Sequence, residues 1–153
     1  MGSCMFYVTG VPASQGSMIP MVNKKTGRAF VIHQRSKELM SWRESVKFSA
    51  LQAGGTMTRG ACEVRMFFHF MRPKSHRTSK GELRKGQSKY ATSRGTKDLD
   101  KLIRSVLDAL TGVLFEDDSQ VVYTEASKAY REKDHIRGPG ATIIVENYEE
   151  GEE

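Results

Sequence analysis

Residues 96–122 constrain this chain more than any other stretch, because they combine a helical pattern with acidic residues at both of its ends. Asp98 and Asp100, separated by one residue, open the pattern, and a second acidic pair, Asp117 and Asp118, follows it. A strongly basic segment lies just upstream. Carboxylates beside a basic surface are typical of a divalent cation that acts on a polyanion, so this stretch predicts metal-dependent chemistry on a phosphate-rich substrate.

The helix in this stretch is the best defined of the chain. Its apolar stripe consists of Leu99, Leu102, Ile103, Val106, Leu107 and Leu110. Gly112 stands where a left-handed C-terminal residue is expected, so the pattern predicts a helix over 98–111. A spacing of two places Asp98 and Asp100 on nearly opposite sides of a helix, but on one side of an extended chain. A joint role for these two acids therefore requires the helix to begin at or just after Asp100.

The acids can be interpreted as metal ligands or as structural groups. Mg²⁺ binds oxygen ligands and uses one or two carboxylates together with substrate phosphates. A third carboxylate would come from Asp117 or Asp118, and Arg104, one turn beyond Asp100, would stabilise charge on a phosphate. Two structural alternatives stay open at this point. Asp98 is also suited to cap the helix with Asp100 in its first turn, and the second acidic pair is also suited to a simple turn.

The basicity of the chain is local. The net charge is +6, but residues 72–97 alone hold nine Lys or Arg against one acid, Glu82, which gives +8 and leaves −2 for the rest. This segment has no apolar periodicity, so we predict a long mobile loop that binds phosphates, with a solvated linker as the alternative. A second basic turn, 23–28, joins two short apolar runs and is a smaller candidate of the same kind.

The rest of the chain predicts one domain over residues 1–153. Short or alternating apolar runs predict strands at 5–8, 19–22, 29–32, 61–71, 120–131 and 141–146. Apolar residues at helical spacing predict a second helix over 36–52, with Trp42 in the core. Residues 147–153 form an acidic tail that we expect to be frayed.

Several classes of protein are not favoured. Cys4 and Cys62 have neither zinc-site spacing nor a disulfide framework, which favours a reducing cytoplasm. No apolar run approaches the roughly 20 residues of a membrane span, and there is no signal-peptide pattern, so no membrane association is expected. The chain contains no Walker, HExxH, GxSxG or EF-hand pattern, and no small-molecule cofactor is expected.

Three motifs together resemble the RusA family of Holliday junction resolvases. They are DLDKL at 98–102, VLDALTG at 106–112 and DDSQVV at 117–122. Gly10-Val11-Pro12, the 23–28 turn and Trp42-Arg43 are also similar, so the resemblance covers most of residues 5–145. It implies a small α+β homodimer with a mixed sheet flanked by helices. It also implies Mg²⁺-dependent cutting of four-way DNA junctions in recombination and repair, with Mn²⁺ as a substitute metal. Members are often encoded by phages or prophages and would act in the bacterial cytoplasm.

The resemblance also implies roles for individual residues. Asp98, Asp100 and Asp118 would bind the metal, and Arg104 stands where the family has a catalytic lysine. Arginine keeps the positive charge but has effectively no deprotonated form, so Arg104 suits a fixed charge and not proton transfer. The residues expected to contact DNA are Lys24, Lys25, Arg28, Arg72, Lys74, His76, Arg77, Lys80, Lys89, Arg94, Lys97 and Lys101. The alternatives are a non-catalytic protein that binds branched DNA and a metal-dependent nuclease that acts on other nucleic-acid structures.

Overall fold

The computed structural model describes residues 3–16, 18–33, 36–149 and 151, and within them it has two helices and six strands. Their bounds are β1 (Cys4–Thr9), β2 (Met18–Val22), β3 (Ala29–His33), α1 (Lys37–Gln52), β4 (Cys62–Met71), α2 (Leu99–Leu110), β5 (Val121–Arg131) and β6 (Gly140–Asn147). Three single 3₁₀ turns occupy Lys74–His76, Arg94–Thr96 and Asp118–Gln120. The α+β class is confirmed, and no helix of the described part is long and apolar enough to cross a membrane.

Four strands form the main sheet in the order β1-β6-β4-β5. β6 is antiparallel to both β1 and β4, whereas β4 and β5 are parallel, so the sheet is mixed as predicted. Parallel neighbours need a long crossover connection, and α2 lies within it. β2 and β3 form a separate two-stranded sheet that carries the basic turn at its tip.

The core lies between one face of the main sheet and the two helices. β4 alternates strictly along its length, and its buried residues are Cys62, Val64, Met66, Phe68 and Phe70. α1 packs against β1 and α2, and α2 also contacts β5. Trp42 is 2% exposed, which confirms its predicted place in the core. This packing fixes α2 on the sheet and therefore fixes the residues at its two ends.

The opposite face of β4 is partly covered, as expected for a central strand. Its residues there are half-buried. The Nδ1 atom of His69 on this face is buried and has no hydrogen-bond partner among the described residues. Burial, and then the positive charges of Arg131 and His135, lower the pKa of His69 to about 4, so this ring is neutral at neutral pH.

The basic segment 72–97 lies along β5 and is hydrogen-bonded to it. The amide of Ala91 donates to the carbonyl of Lys128 (3.1 Å), and the amide of Tyr130 donates to the carbonyl of Lys89 (2.8 Å). Ala91 and Thr96 are buried. The segment is therefore part of the domain and not a solvated linker, while its mobility stays a prediction.

The acidic tail begins later than predicted. Asn147 still belongs to β6, and the amide of Tyr148 donates to the carbonyl of Ala61 (2.9 Å), because the end of β6 pairs beside the start of β4. Glu150, Glu152 and Glu153 lie outside the described residues.

The turn before β5 gives the two acids of the second pair different positions. Asp117 is the N-cap of the 3₁₀ turn, and its Oδ1 accepts from the amide of Ser119 (2.8 Å). The side chain of Gln120 accepts in return from the amide of Asp117 (3.1 Å), which completes a capping box. The hydrogen bonds from Ser119 lower the pKa of Asp117. Asp118 lies in the turn itself with an exposed side chain.

This difference predicts unequal effects of two neighbouring substitutions. Asp117→Ala removes the acceptor that caps the turn, so we expect the Tm to fall by several degrees. Asp118→Ala removes an exposed carboxylate and leaves the Tm unchanged within error. Thermal unfolding followed by circular dichroism measures both variants, and equal losses would contradict a structural role specific to Asp117.

Candidate active site

The first acidic pair lies where the chain enters α2. Asp98 is the N-cap with an extended backbone (φ −77°, ψ 135°), and Asp100 lies in the first helical turn. The helix therefore begins at Leu99, as the predicted range 98–111 allows, and earlier than the start at or just after Asp100 that a joint role of the two acids required. Asp98 alone keeps the extended backbone, so the joint role of Asp98 and Asp100 stays a prediction. The side chain of Asp98 makes no capping hydrogen bond. It is 70% exposed and pairs with Lys101 at 3.5 Å, a surface ion pair that contributes little to stability.

The position of Asp98 and Asp100 stabilises their negative charge and leaves both carboxylates accessible from solvent. Both carboxylates are exposed at the N-terminus of α2, the positive end of the helix dipole. Arg104 follows one turn after Asp100 and is exposed as well. Among the described residues Arg104 forms no ion pair with Asp108, although the two are one turn apart. Two carboxylates and one fixed cation therefore face solvent along the first turns of this helix.

The residue just before the acidic pair has an unusual backbone. Lys97 has φ 70° and ψ 169°, and among the described residues it is the one non-glycine with a positive φ. Such a conformation costs an L-residue about 1–3 kcal/mol. The ammonium of Lys128 donates to the carbonyl of Lys97 (2.5 Å) and to Oγ1 of Thr96 (3.1 Å). Hydrogen bonds from a charged donor contribute about 1.5–3 kcal/mol, which is enough to offset the strain.

A cleft of about 790 Å³ reaches Lys97, the residue that precedes Asp98, although neither acid of the pair lines it. The loop after β1, the first turns of α1 and the residues just before Asp98 form its walls. The amide of Gln15 donates to the carbonyl of Lys101 (3.1 Å), which fastens that loop to the first turn of α2. The polar side chains of the lining are Thr9, Ser14, Ser36, Lys37, Glu38, Ser41, Ser45 and Lys97. Hydroxyl groups and two lysines make this cleft suitable for a phosphate-bearing strand.

Within one chain the structure does not bring Asp118 to Asp98 and Asp100. Asp118 precedes β5, whereas Lys128, farther along the same strand, contacts Lys97 next to the acidic pair. At about 3.3 Å per residue, the intervening part of β5 separates the two places by roughly 20 Å. In the described part of the chain, no three His, Cys, Asp or Glu side chains are grouped to hold a metal ion. The three acids as one ligand set stay a prediction.

Three of the residues predicted to contact DNA form contacts with other residues of the same chain. Arg72 has a side chain that is 6% exposed, pairs with Glu132 at 3.1 Å and lies over the ring of Tyr130 (4.9 Å). Arg77 pairs with the same carboxylate at 2.7 Å, which lowers the pKa of Glu132. His76 lies edge-on to Tyr130, with 5.2 Å between ring centres. These contacts hold the basic segment against the end of β5.

Eight of the nine remaining predicted cations are exposed. The exposed ones are Lys24, Lys25, Arg28, Lys74, Lys80, Lys89, Arg94 and Lys97. Lys101 is half-buried and pairs with Asp98. Contact of any of them with DNA stays a prediction, but exposed side chains are the ones that can reach phosphates without breaking an internal contact.

Sequence reasoning missed Lys128, Tyr130 and Glu132. A lysine between small residues of a predicted strand, as in Ala126-Ser127-Lys128-Ala129, was the available signal for the first. Its partner Lys97 lies 31 residues away in the chain, so no local pattern links the two. Glu132 follows directly after the predicted strand, and its pairing with two arginines of a distant segment likewise required the fold.

Comparison with known proteins identifies the family of this chain. The family model described as Endodeoxyribonuclease RusA matches residues 13–137. One similar protein is the uncharacterized protein YqaN of Bacillus subtilis (strain 168), which is 28% identical over 133 residues, 86% of this chain and 90% of that protein. The family match contains the acidic pair, the cleft walls from Ala13 to Lys97 and both ends of α2. Because it covers most of the chain, this protein belongs to the RusA family of endodeoxyribonucleases.

Proposed function

We propose that this protein is a Mg²⁺-dependent endonuclease that resolves four-way (Holliday) DNA junctions during recombination and repair. The observation that carries the proposal is the exposed pair Asp98 and Asp100 at the positive end of α2, directly after Lys97, which lines a cleft with several hydroxyl groups. Membership of the family supports DNA as the substrate. The protein would act in the cytoplasm of a bacterial cell, or of the bacterial host if a phage encodes it.

Asp98 and Asp100 suit Mg²⁺ in their donor chemistry. This ion needs only one or two carboxylates when phosphate oxygens and water complete its coordination. The chemistry that bound Mg²⁺, or Mn²⁺ in its place, supplies is polarisation of the phosphate and activation of a water molecule. Asp98 would exchange its contact with Lys101 for the ion, and Lys101 would then be available to a phosphate. That exchange is inexpensive because the surface ion pair is weak.

Neighbouring side chains of the same chain supply orientation and charge. Arg104 would stand beside the reacting phosphate as a fixed cation and stabilise the charge that develops on it. It would not move a proton, because a guanidinium stays charged. Lys97 and the serines of the cleft would orient the strand next to the acidic pair. The exposed lysines of the segment 72–97 would bind backbone phosphates of the junction arms.

A homodimer would overcome the separation of Asp118 from the acidic pair. A two-fold dimer places the same surface patch of each protomer against its partner. We propose that Asp118 of the partner subunit joins Asp98 and Asp100, so that each dimer has two complete sites. Two symmetric sites also match the two symmetry-related strands that a resolvase must cut.

One observation favours a second candidate, a non-catalytic protein that binds branched DNA. No group of three acidic or other metal-binding side chains forms within the described part of one chain. Arg104 in place of the family lysine is compatible with this candidate as well. The two candidates differ in whether a divalent cation causes cleavage.

A cleavage assay with matched variants separates them. Labelled four-way junction, linear duplex and single strand are incubated with the protein in Mg²⁺ or in EDTA. We expect paired nicks in the junction with Mg²⁺ alone. Asp100→Asn should reduce the rate at least about 100-fold and keep the junction affinity, because it removes one metal ligand and little else. Asp108→Asn, on the same helix two turns further on, should keep most of the rate.

Two outcomes would contradict the proposal. Absence of cleavage with both Mg²⁺ and Mn²⁺ on every substrate would leave the non-catalytic candidate. Equal rates on linear duplex and on the junction would leave a nuclease without junction specificity.

The exposed lysines of the segment 72–97 are expected to determine how strongly DNA binding depends on salt. Replacement of Lys74, Lys80 and Lys89 together by Gln should reduce the slope of log affinity against log salt by roughly 2 to 3, since each lost phosphate contact accounts for about 0.9. Lys47→Gln, which changes an exposed lysine on α1 outside the segment, should leave the slope unchanged. Fluorescence anisotropy with a four-way junction measures both, and an unchanged slope in the triple variant would show that this segment is not a phosphate-binding surface.

A further inference from the structure

We propose that Lys128 is a positioning residue that holds the acidic pair in its working arrangement through the carbonyl group of Lys97. The inference rests on the proposed nuclease function, because it gives Lys128 a task only if Asp98 and Asp100 are the reacting carboxylates. Lys128 itself forms no ion pair with either of them among the described residues. It would therefore act by fixing backbone and not by direct charge.

Lys128 forms hydrogen bonds with both ends of residues 91–97, the stretch that precedes α2 by one residue. Its backbone carbonyl accepts from the amide of Ala91 (3.1 Å), and its ammonium donates to Thr96 Oγ1 (3.1 Å) and to the carbonyl of Lys97 (2.5 Å). The strand that carries Lys128 is attached to the core, because Lys128 pairs in register with the fully buried Phe68 of β4. The centre of the sheet is thus connected by hydrogen bonds to the residue that precedes the acidic pair.

Thr96 provides the side-chain acceptor for the ammonium of Lys128. It is 5% exposed, and its hydroxyl oxygen lies 2.8 Å from the carbonyl oxygen of Ala91 and 2.7 Å from that of Ser93. The hydroxyl has one proton to donate to these carbonyls, and its lone pairs accept from the ammonium of Lys128. The hydroxyl therefore donates to a backbone carbonyl on its own account, and Lys128 supplies the hydrogen bond that its oxygen accepts.

The consequence falls on Asp98. Lys97 has a positive φ that an L-residue avoids, and the carbonyl held by Lys128 belongs to the peptide that joins Lys97 to Asp98. α2 cannot shift to follow a change there, because Leu102 and Val106 are fully buried. If Lys97 relaxed to a negative φ, the backbone would enter Asp98, the N-cap, in a different direction. That change would disturb the hydrogen bond from the amide of Leu102 to the carbonyl of Asp98 (3.0 Å). Lys128 prevents that relaxation.

The first test replaces Lys128 with side chains that keep its length. Lys128→Met removes the donors, so we expect single-turnover cleavage of a four-way junction at saturating protein to slow roughly ten- to a hundredfold, since small misplacements of reacting groups have effects of this size. Junction affinity should stay within about twofold, because no phosphate contact is lost. Amide hydrogen exchange in peptides that cover 97–104 should become faster. Lys128→Arg keeps donors for both oxygens and should retain most of the rate.

The second test asks whether the backbone of Lys97 transmits the effect. Lys97→Gly and Lys97→Ala are each combined with Lys128→Met. Both lose the lysine side chain at position 97, but only glycine adopts a positive φ without strain. We expect the glycine double variant to recover slow exchange over 97–104 and to cut roughly tenfold faster than the alanine double variant.

Clear outcomes would overturn the inference. If Lys128→Met weakens junction binding and lowers its salt slope while hydrogen exchange is unchanged, Lys128 is a phosphate contact. If the glycine and alanine double variants behave alike, Lys97 does not transmit the effect. If the wild-type protein cuts no DNA, the proposed function fails, while hydrogen exchange in the same variants still decides whether Lys128 holds this backbone.

Discussion

The parallel pairing of β4 with β5 determines where the chemistry of this chain can lie. Parallel neighbours must be joined by a crossover that returns the chain from the end of the first strand to the start of the second. Here α2 makes part of that return, so its first turn lies near the far end of β5 and Asp118 lies at the near end. The acids of one chain are thus split between two ends of the molecule, and the proposed site with all three of them would need a second chain.

The same crossover explains why so many contacts meet just before α2. The chain leaves β4, runs as the basic segment along the open edge of β5, and must then turn into a helix whose apolar face is already committed to the core. The turn is made at Lys97 with a positive φ, and Lys128 of β5 holds its carbonyl. Asp98, which follows this turn, has an extended backbone, and its carboxylate makes no capping hydrogen bond.

Local pattern predicted those parts of the fold and site that depend on local interactions. The stripe of α2, the alternation of β4 and the core position of Trp42 were all readable, because periodicity reports which side chains are buried. The family motifs indicated the mixed sheet. The exact start of α2 was not readable, since the capping pattern allowed either Asp98 or Asp100 to begin it. The separation of Asp118 from Asp98 was also not readable, because it follows from strand order.

Net charge was a poorer guide than individual contacts. The net charge of +8 for the segment 72–97 counts all of its cations equally. Arg72 and Arg77, however, both pair with Glu132 and attach the segment to the sheet. The lysines of the segment, together with Arg84 and Arg94, are the exposed part of its charge. Composition therefore does not distinguish the cations that attach this segment to the sheet from those that are exposed to solvent.

Mixing two inactive variants tests most directly whether the acids of two chains form one site. Asp100→Asn and Asp118→Asn are purified separately, mixed under conditions that exchange subunits, and assayed on a four-way junction with Mg²⁺. If Asp118 of the partner subunit completes the site, each mixed dimer contains one site with all of its carboxylates, and we predict that cleavage reappears, mainly as single nicks. If each site is built within one chain, every site in the mixture lacks a carboxylate. Cleavage that stays absent although mass spectrometry shows mixed dimers would contradict the account.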